Sequence, residues 1–303
     1  MMKVSLAPIP YYWPEEEIHR FYQSVMEAPV DIVYLGETIC SKRRVLNHEQ
    51  WMALADQLVE AGKEVVLSTM VLLEAESELK TLRRICSNGK YLVEANDLSA
   101  VNRCSEAEIP FVAGHALNLY NPQALSVMQR AGMVRWMLPV ELSAETLEQL
   151  QQQSPDGVGC EVMVWGKLPL AYAARCYTAR HYDLPKDDCQ YRCLDDPDGM
   201  PLRTKEGQPF LTINGIQTQS AQYTNLIAEL PKMAALEVEV VRVAPHVRWT
   251  PSILSTIQQV LEGTVTPVEG RDSVDQHYPV PSVDGYWRGE AGIDPVSEME
   301  RAV

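Results

Sequence analysis

Apolar residues fall along this chain in two alternating rhythms. Short runs rich in β-branched and aromatic residues lie at 4–7, 31–35, 64–69, 91–95, 111–113, 133–138 and 160–165. Between them, apolar positions return every three or four residues, the spacing of a helix with one buried face. Helices are expected over 15–28, 47–61, 74–86, 98–106, 121–132 and 143–153. Their ends carry the usual chemistry. Pro14 suits a first turn, Asn47 and Ser143 suit N-caps, and Gly62 and Gly132 suit closures.

The beat breaks at Gly166. From there to about Thr218 the chain is charged and rich in turn residues, as in Asp195-Asp196-Pro197-Asp198-Gly199. A short strand is expected at 210–213, a helix at 223–235, an eighth strand at 238–243 and a last helix at 251–262. Eight strands alternating with helices over roughly 250 residues match an α/β fold of the (β/α)8, TIM-like barrel class. An open doubly wound sheet is the competing arrangement. Ala7-Pro8-Ile9-Pro10 follows the first strand where a dinucleotide fold would carry its glycine-rich turn. The reading is one barrel domain over 1–303, with an insertion at 166–218 and an irregular tail at 264–303 that wraps the body.

Composition narrows the function. The chain has 303 residues, 46% of them hydrophobic, and a formal charge of −15. Such a surface repels phosphate backbones, so nucleic-acid binding by the whole surface is not expected. No run is long and apolar enough to span a membrane. The first residues, Met1-Met2-Lys3-Val4-Ser5-Leu6-Ala7-Pro8, lack the apolar core of a signal peptide, and a cytoplasmic protein is expected. Seven cysteines is an odd number, which speaks for thiols or metal ligands rather than a disulfide framework.

Three of those cysteines, Cys176, Cys189 and Cys193, stand in the insertion with Cys-x12-Cys-x3-Cys spacing. A fourth candidate, Cys40, follows the second expected strand. In a barrel the loops after the strands open on one face, so a loop after strand two and an insertion after strand seven can meet. Four thiolates suit a structural zinc or an iron–sulfur cluster. Zinc sites usually show two close pairs. One close pair and two isolated cysteines favour a cluster. Lys42, Arg43, Arg44, Arg175, Arg180, Lys186 and Arg192 surround these positions, would offset its negative charge, and are expected to lower the thiol pKa values and so favour ligation. The plain alternative is solvated loop charges and incidental cysteines.

Several stretches resemble the UbiV branch of the collagenase-like peptidase family. They are Leu35-Gly36-Glu37-Thr38-Ile39-Cys40-Ser41-Lys42-Arg43-Arg44, Phe111 to Asn118, Arg135 to Ser143, Leu168 to Arg180, Asn214-Gly215-Ile216-Gln217-Thr218 and Gly285-Tyr286-Trp287-Arg288. The resemblance covers essentially the whole chain. It implies oxygen-independent hydroxylation in ubiquinone biosynthesis and a [4Fe–4S] cluster as cofactor, with the family's ligand positions on Cys40, Cys176, Cys189 and Cys193. It also implies a heterodimer with a UbiU-like paralogous subunit, and a lipid-binding accessory protein as a further partner. Prephenate is the hydroxyl source associated with the group. The family name notwithstanding, neither His-Glu-x-x-His nor Gly-x-Ser-x-Gly occurs here, so proteolysis is discounted.

Other residues carry weaker signals. His115 is expected at the barrel mouth, as substrate contact or as a satisfied structural histidine. Glu37, Glu94 and Glu141 are expected near strand ends, as partners of Arg43 or Arg175 or as proton carriers. Cys86, Cys104 and Cys160 read as small buried hydrophobes. Tyr177, Tyr182 and Tyr191 read as a shield around the cluster. Three functions compete: a redox subunit of a hydroxylase complex, a non-catalytic scaffold with a structural four-cysteine metal site, and an RNA-hydroxylating enzyme, the last disfavoured by the acidic balance.

Overall fold

A computed structural model of the chain describes residues 2–277 and 281–294. Seven parallel strands pair in chain order: β1 (Lys3–Leu6), β2 (Ile32–Leu35), β3 (Glu64–Ser68), β4 (Leu92–Ala95), β5 (Phe111–Ala113), β6 (Met133–Met137) and β7 (Gly159–Tyr172). The chain then adds β8 (Met200–Arg203), β9 (Pro209–Asn214) and β10 (Gln217–Asn225) before β11 (Val240–Val243). β11 pairs in parallel with both β7 and β1 and closes an eight-stranded ring. The strands are continuous apolar runs because both faces are covered. Ile32, Val33, Tyr34 and Leu35 are all buried, as parallel strands between a barrel interior and a helical coat require.

The helices form where the apolar period and the caps agree. α1 (Glu15–Glu27) buries Ile18, Phe21, Tyr22 and Val25 and places three glutamates in its first turn, where the helix dipole favours them. α2 (His48–Glu60) starts in a capping box: Asn47 accepts from the Gln50 N–H, and the Gln50 side chain accepts from the Asn47 N–H. α3 (Glu76–Cys86) and α4 (Leu98–Glu106) follow. Asn121 caps α5 (Pro122–Arg130) and Ser143 caps α6 (Ala144–Gln151), both as the sequence indicates.

Three expectations are corrected. The seventh strand does not stop at 165; β7 runs on to Tyr172, and its extension pairs antiparallel with β10, which pairs with β9 and then β8. The first part of the 166–218 insertion is therefore a continuation of the barrel wall. Its single helix is the short α7 (Tyr177–His181). The helix expected over 223–235 is instead strand to Asn225, a 3₁₀ turn at Ile227–Glu229, and α8 (Leu230–Ala235). Tyr223 and Thr224 are held in the sheet by pairing with Lys167 and Gly166, which a local helical period cannot reveal. After α9 (Thr250–Leu261) the tail is not wholly irregular. Thr266 opens a second capping box with Glu269, with Pro267 at the first position of α10 (Pro267–Asp275), and α11 (Gly285–Arg288) follows. The rest of the tail reading, 278–280 and 295–303, lies outside the described residues. No helix among the described residues is long and apolar enough to cross a membrane.

Candidate functional site

The loop that carries Cys40 is set by two residues before it. Gly36 turns the chain at φ +130°, and a Cβ there would stand 2.8 Å from the Ser68 carbonyl oxygen, so only glycine fits. The Glu37 carboxylate then accepts from the Ile39 and Cys40 backbone N–H groups at 2.8 and 3.0 Å. The Arg43 N–H donates to the Cys40 carbonyl at 3.0 Å. Backbone and carboxylate together fix where the Cys40 thiol points.

The other three cysteines sit on short turns of the insertion. Cys176 caps α7, its Sγ accepting from the Ala179 N–H at 3.4 Å. Cys189 closes the 3₁₀ turn Lys186–Asp188, and Cys193 lies in the 3₁₀ turn Arg192–Leu194. Between them Gln190 and Tyr191 both have left-handed backbones, at φ 51° and 52°. The Tyr177 N–H donates to the Gly215 carbonyl at 2.8 Å, tying the α7 turn to the β9–β10 hairpin.

Two cations join the loops. Lys42 donates to the Lys186 carbonyl at 2.7 Å and to Asp187 at 2.6 Å, which links the Cys40 loop to the turn before Cys189. Arg43 is buried and donates to the Pro10 carbonyl and to Asn214 Oδ1, both at 2.7 Å. It also acts electrostatically on the Cys193 thiol. One guanidinium thus binds the β1–α1 loop and the β9–β10 hairpin beside the third cysteine turn.

Cys176 lies near enough to the Cys40 thiol, and both lie near enough to the Cys193 thiol, to act on them electrostatically. Burial pushes the Cys40 and Cys193 thiols up, and Arg43 opposes it in both. The sequence expectation that the surrounding cations lower these thiols is therefore corrected: desolvation outweighs them. Cys189 lies near enough to Lys42 to act on it electrostatically. Among the described residues, no group of three or more His, Cys, Asp or Glu side chains is gathered closely enough to hold a single metal ion. A cubane spreads its thiolates more widely than one ion does. The donor set fits such a group in chemistry: four half-buried free thiols, a buried Arg43 whose Nε has no partner, and a backbone N–H on Cys176 sulfur.

Beside this loop the barrel mouth opens into a small pocket of about 60 Å³. Thr38 and Ile39 form the wall shared with the cysteine loop. Opposite lie His115, Tyr172 and Gln217. The Tyr172 hydroxyl lies 2.6 Å from His115 Nε2 and accepts from Gln217 at 3.1 Å. Burial lowers His115 to about 4. The floor is a buried ion network. Arg242 donates to Glu161 at 2.7 Å and to Glu94 at 2.6 Å, and its guanidinium lies 3.9 Å from the Tyr34 ring centroid. Arg242 Nη2 is buried without a partner. Lys167 lines the same pocket, lowered to about 8 by burial.

Not every candidate joins the site. Glu37 lies beside Arg43 as expected, but Glu94 pairs with Arg242, not with Arg43 or Arg175. Glu141 bonds to Tyr120 on the surface. Cys86 and Cys104 are buried against each other and Cys160 is buried in β7. Tyr182 and Tyr191 are 37% and 45% exposed, Tyr191 against Tyr12. Arg242, Glu161, Tyr172 and Lys167 escaped sequence reasoning. The available signal was a charge inside an apolar strand, as in Val240-Val241-Arg242-Val243.

The depressed His115 has a testable consequence. Between about pH 6.5 and 4 the unfolded chain binds a proton at this position that the folded chain does not, so stability falls as pH drops through that window. His115→Asn should remove on the order of 1–2 kcal/mol of that pH dependence, read from urea melts at pH 7 and pH 5. An unchanged slope would show that His115 titrates normally.

The chain is 27% identical over 174 residues to tRNA hydroxylation protein P of Escherichia coli (strain K12), an alignment covering 54% of this chain and 38% of that protein. It thus spans less than half the length of this curated relative. The fold is similar to that of the U32 peptidase Mk0906, with a TM-score of 0.46 at 11% identity, covering 81% of this chain and 93% of that one. A putative dihydrodipicolinate synthetase from Pseudomonas aeruginosa gives 0.48 at 8% identity, covering 90% of this chain and 81% of that one. The sequence model of peptidase family U32 matches residues 19–263, through the barrel and across the whole cysteine-bearing insertion, and the chain therefore belongs to that family.

Proposed function

We propose that this chain is the iron–sulfur subunit of a UbiU–UbiV-type complex that hydroxylates ubiquinone precursors without oxygen. Cys40, Cys176, Cys189 and Cys193 would hold a [4Fe–4S] cluster. The observation that carries this reading is the meeting of the Cys40 loop with the Cys176 and Cys193 turns around the buried Arg43. The name of the Escherichia coli relative, a tRNA hydroxylation protein, supports the reaction class. A net charge of −15 favours a small molecule over RNA as substrate.

A cluster with cysteine on every iron would supply electron transfer rather than an open Lewis-acid position. The chain's own residues would do the rest. Ile39, Val71, Met137 and Met163 give the pocket apolar walls that exclude water. Neutral His115 is oriented through Tyr172. Arg242 presents one unpaired guanidinium nitrogen over the two carboxylates that fix it. The UbiU-like paralogue would be the partner subunit, with a lipid-binding accessory protein presenting the precursor.

A structural role for the same metal group is the second reading. Lys42 and Arg43 already bridge the barrel loop to the insertion, and a metal group at the thiols would lock the same junction. The test is ubiquinone content of cells grown without oxygen. Cells lacking this chain should lose ubiquinone, wild type should restore it, and Cys193→Ala should not. Restoration by Cys193→Ala would remove both readings of the cysteines. Restoration by wild type with a cluster that no low-potential donor reduces would leave the structural one.

A further inference from the structure

The Cys176 turn faces a shallow depression whose wall is Arg175, Cys176, Arg180, Asp183, Leu184, Pro185 and Lys186. It holds three cations and one carboxylate in a chain of net charge −15. Lys186 is engaged with Glu74 and the Ala174 carbonyl. Arg175 and Arg180 are exposed, and neither forms an ion pair among the described residues. Leu184 and Pro185 give the floor an apolar centre. Uncompensated guanidinium groups around a small apolar patch suit a brief encounter steered by charge, and redox complexes are typically of that small size.

We infer that this depression is the docking site of a small acidic one-electron carrier protein, which rests on the proposed function in that Cys176 is there a cluster ligand. An acidic carrier is repelled by most of the surface and attracted here, where a cysteine ligand lines the contact. Two free guanidinium groups are too few for a nucleic acid, whose binding draws on many phosphate contacts. With a flavodoxin as carrier, the flavin hydroquinone anion gives up one electron and becomes the neutral semiquinone. The cluster core takes that electron, and no proton need move.

The test uses the full chain, purified anaerobically, with oxidised flavodoxin titrated in at low and at moderate salt. Wild-type affinity should fall ~10-fold or more as salt rises, because exposed charges are screened. Arg175→Glu/Arg180→Glu should lose ~10-fold or more at low salt, and Arg180→Glu alone part of that. Arg130→Glu, on α5 and outside the depression, should bind as wild type does. Unchanged affinity in the double variant, or an equal loss in Arg130→Glu, would overturn the assignment. So would bulk tRNA binding more tightly than flavodoxin with the same arginine dependence. Iron and sulfide are counted in the same samples. A wild type with about four irons that ignores flavodoxin sinks the docking site and spares the cluster. A wild type without iron sinks the cluster reading instead.

Discussion

Anaerobically purified Cys193→Ala and Cys189→Ala proteins are expected to be colourless, whereas wild type and Cys86→Ser are brown with about four irons and four sulfides each. The contrast comes from placement. Cys193 is half-buried and within electrostatic reach of Arg43, Cys40 and Cys176. Cys86 is buried on α3 against Cys104, away from these loops. Without ligation, burial holds the Cys40 and Cys193 thiols protonated, so metal binding must displace their protons and should strengthen as pH rises. Loss of one thiolate also leaves Arg43 buried without its sulfur partner, and the turn at Arg192–Leu194 should loosen with it. Proteolysis within 186–199 should accordingly be faster in Cys193→Ala than in wild type. Full iron content in Cys189→Ala would refute its assignment as a ligand, and one zinc in place of iron would leave only the structural reading.

The barrel was legible because its signals are local. Each of β1 to β6 is a short apolar run, and Asn47, Asn121 and Ser143 announce their helices one residue ahead. The meeting of Cys40 with the insertion followed from topology alone, since loops after parallel strands share a face. The sheet extension was not legible. Residues 217–225 are strand only because the far end of β7 pairs with them, and Tyr223 to Ala235 carries a local pattern that also suits a helix. The thiol pKa direction was misjudged for a related reason. Sequence shows the cations near each cysteine but not the burial that outweighs them. The Thr266–Glu269 box, by contrast, was present in the residues and went unread.

The barrel floor carries the other large expected effect. Arg242→Met should destabilise the protein by about 3–5 kcal/mol at neutral pH, because it leaves Glu94 and Glu161 buried without their cation. In the wild type, burial tends to raise Glu161, but Arg242 outweighs it and holds the carboxyl below its usual range. A depressed carboxylate stabilises above its unfolded pKa and loses that contribution as pH falls. With the arginine gone the sign reverses: burial raises the Glu161 carboxyl, and the variant's deficit should shrink as the pH is lowered and that carboxyl takes up a proton. Ser5 and Tyr34 still donate to Glu161, and Ser68 to Glu94, so the loss is of the charge partner and not of every hydrogen bond. Neutralising the carboxyls as well, in Arg242→Met/Glu94→Gln/Glu161→Gln, should recover much of the stability. Urea melts of the single and triple variants separate the cases: a triple variant as unstable as the single would mean that the cost lies in packing against Tyr34 rather than in the stranded charges. Recovery of folding with no recovery of ubiquinone in cells would assign the Arg242–Glu94–Glu161 network to the pocket's chemistry as well as to its floor, where Arg242 Nη2 is buried without a partner among the described residues.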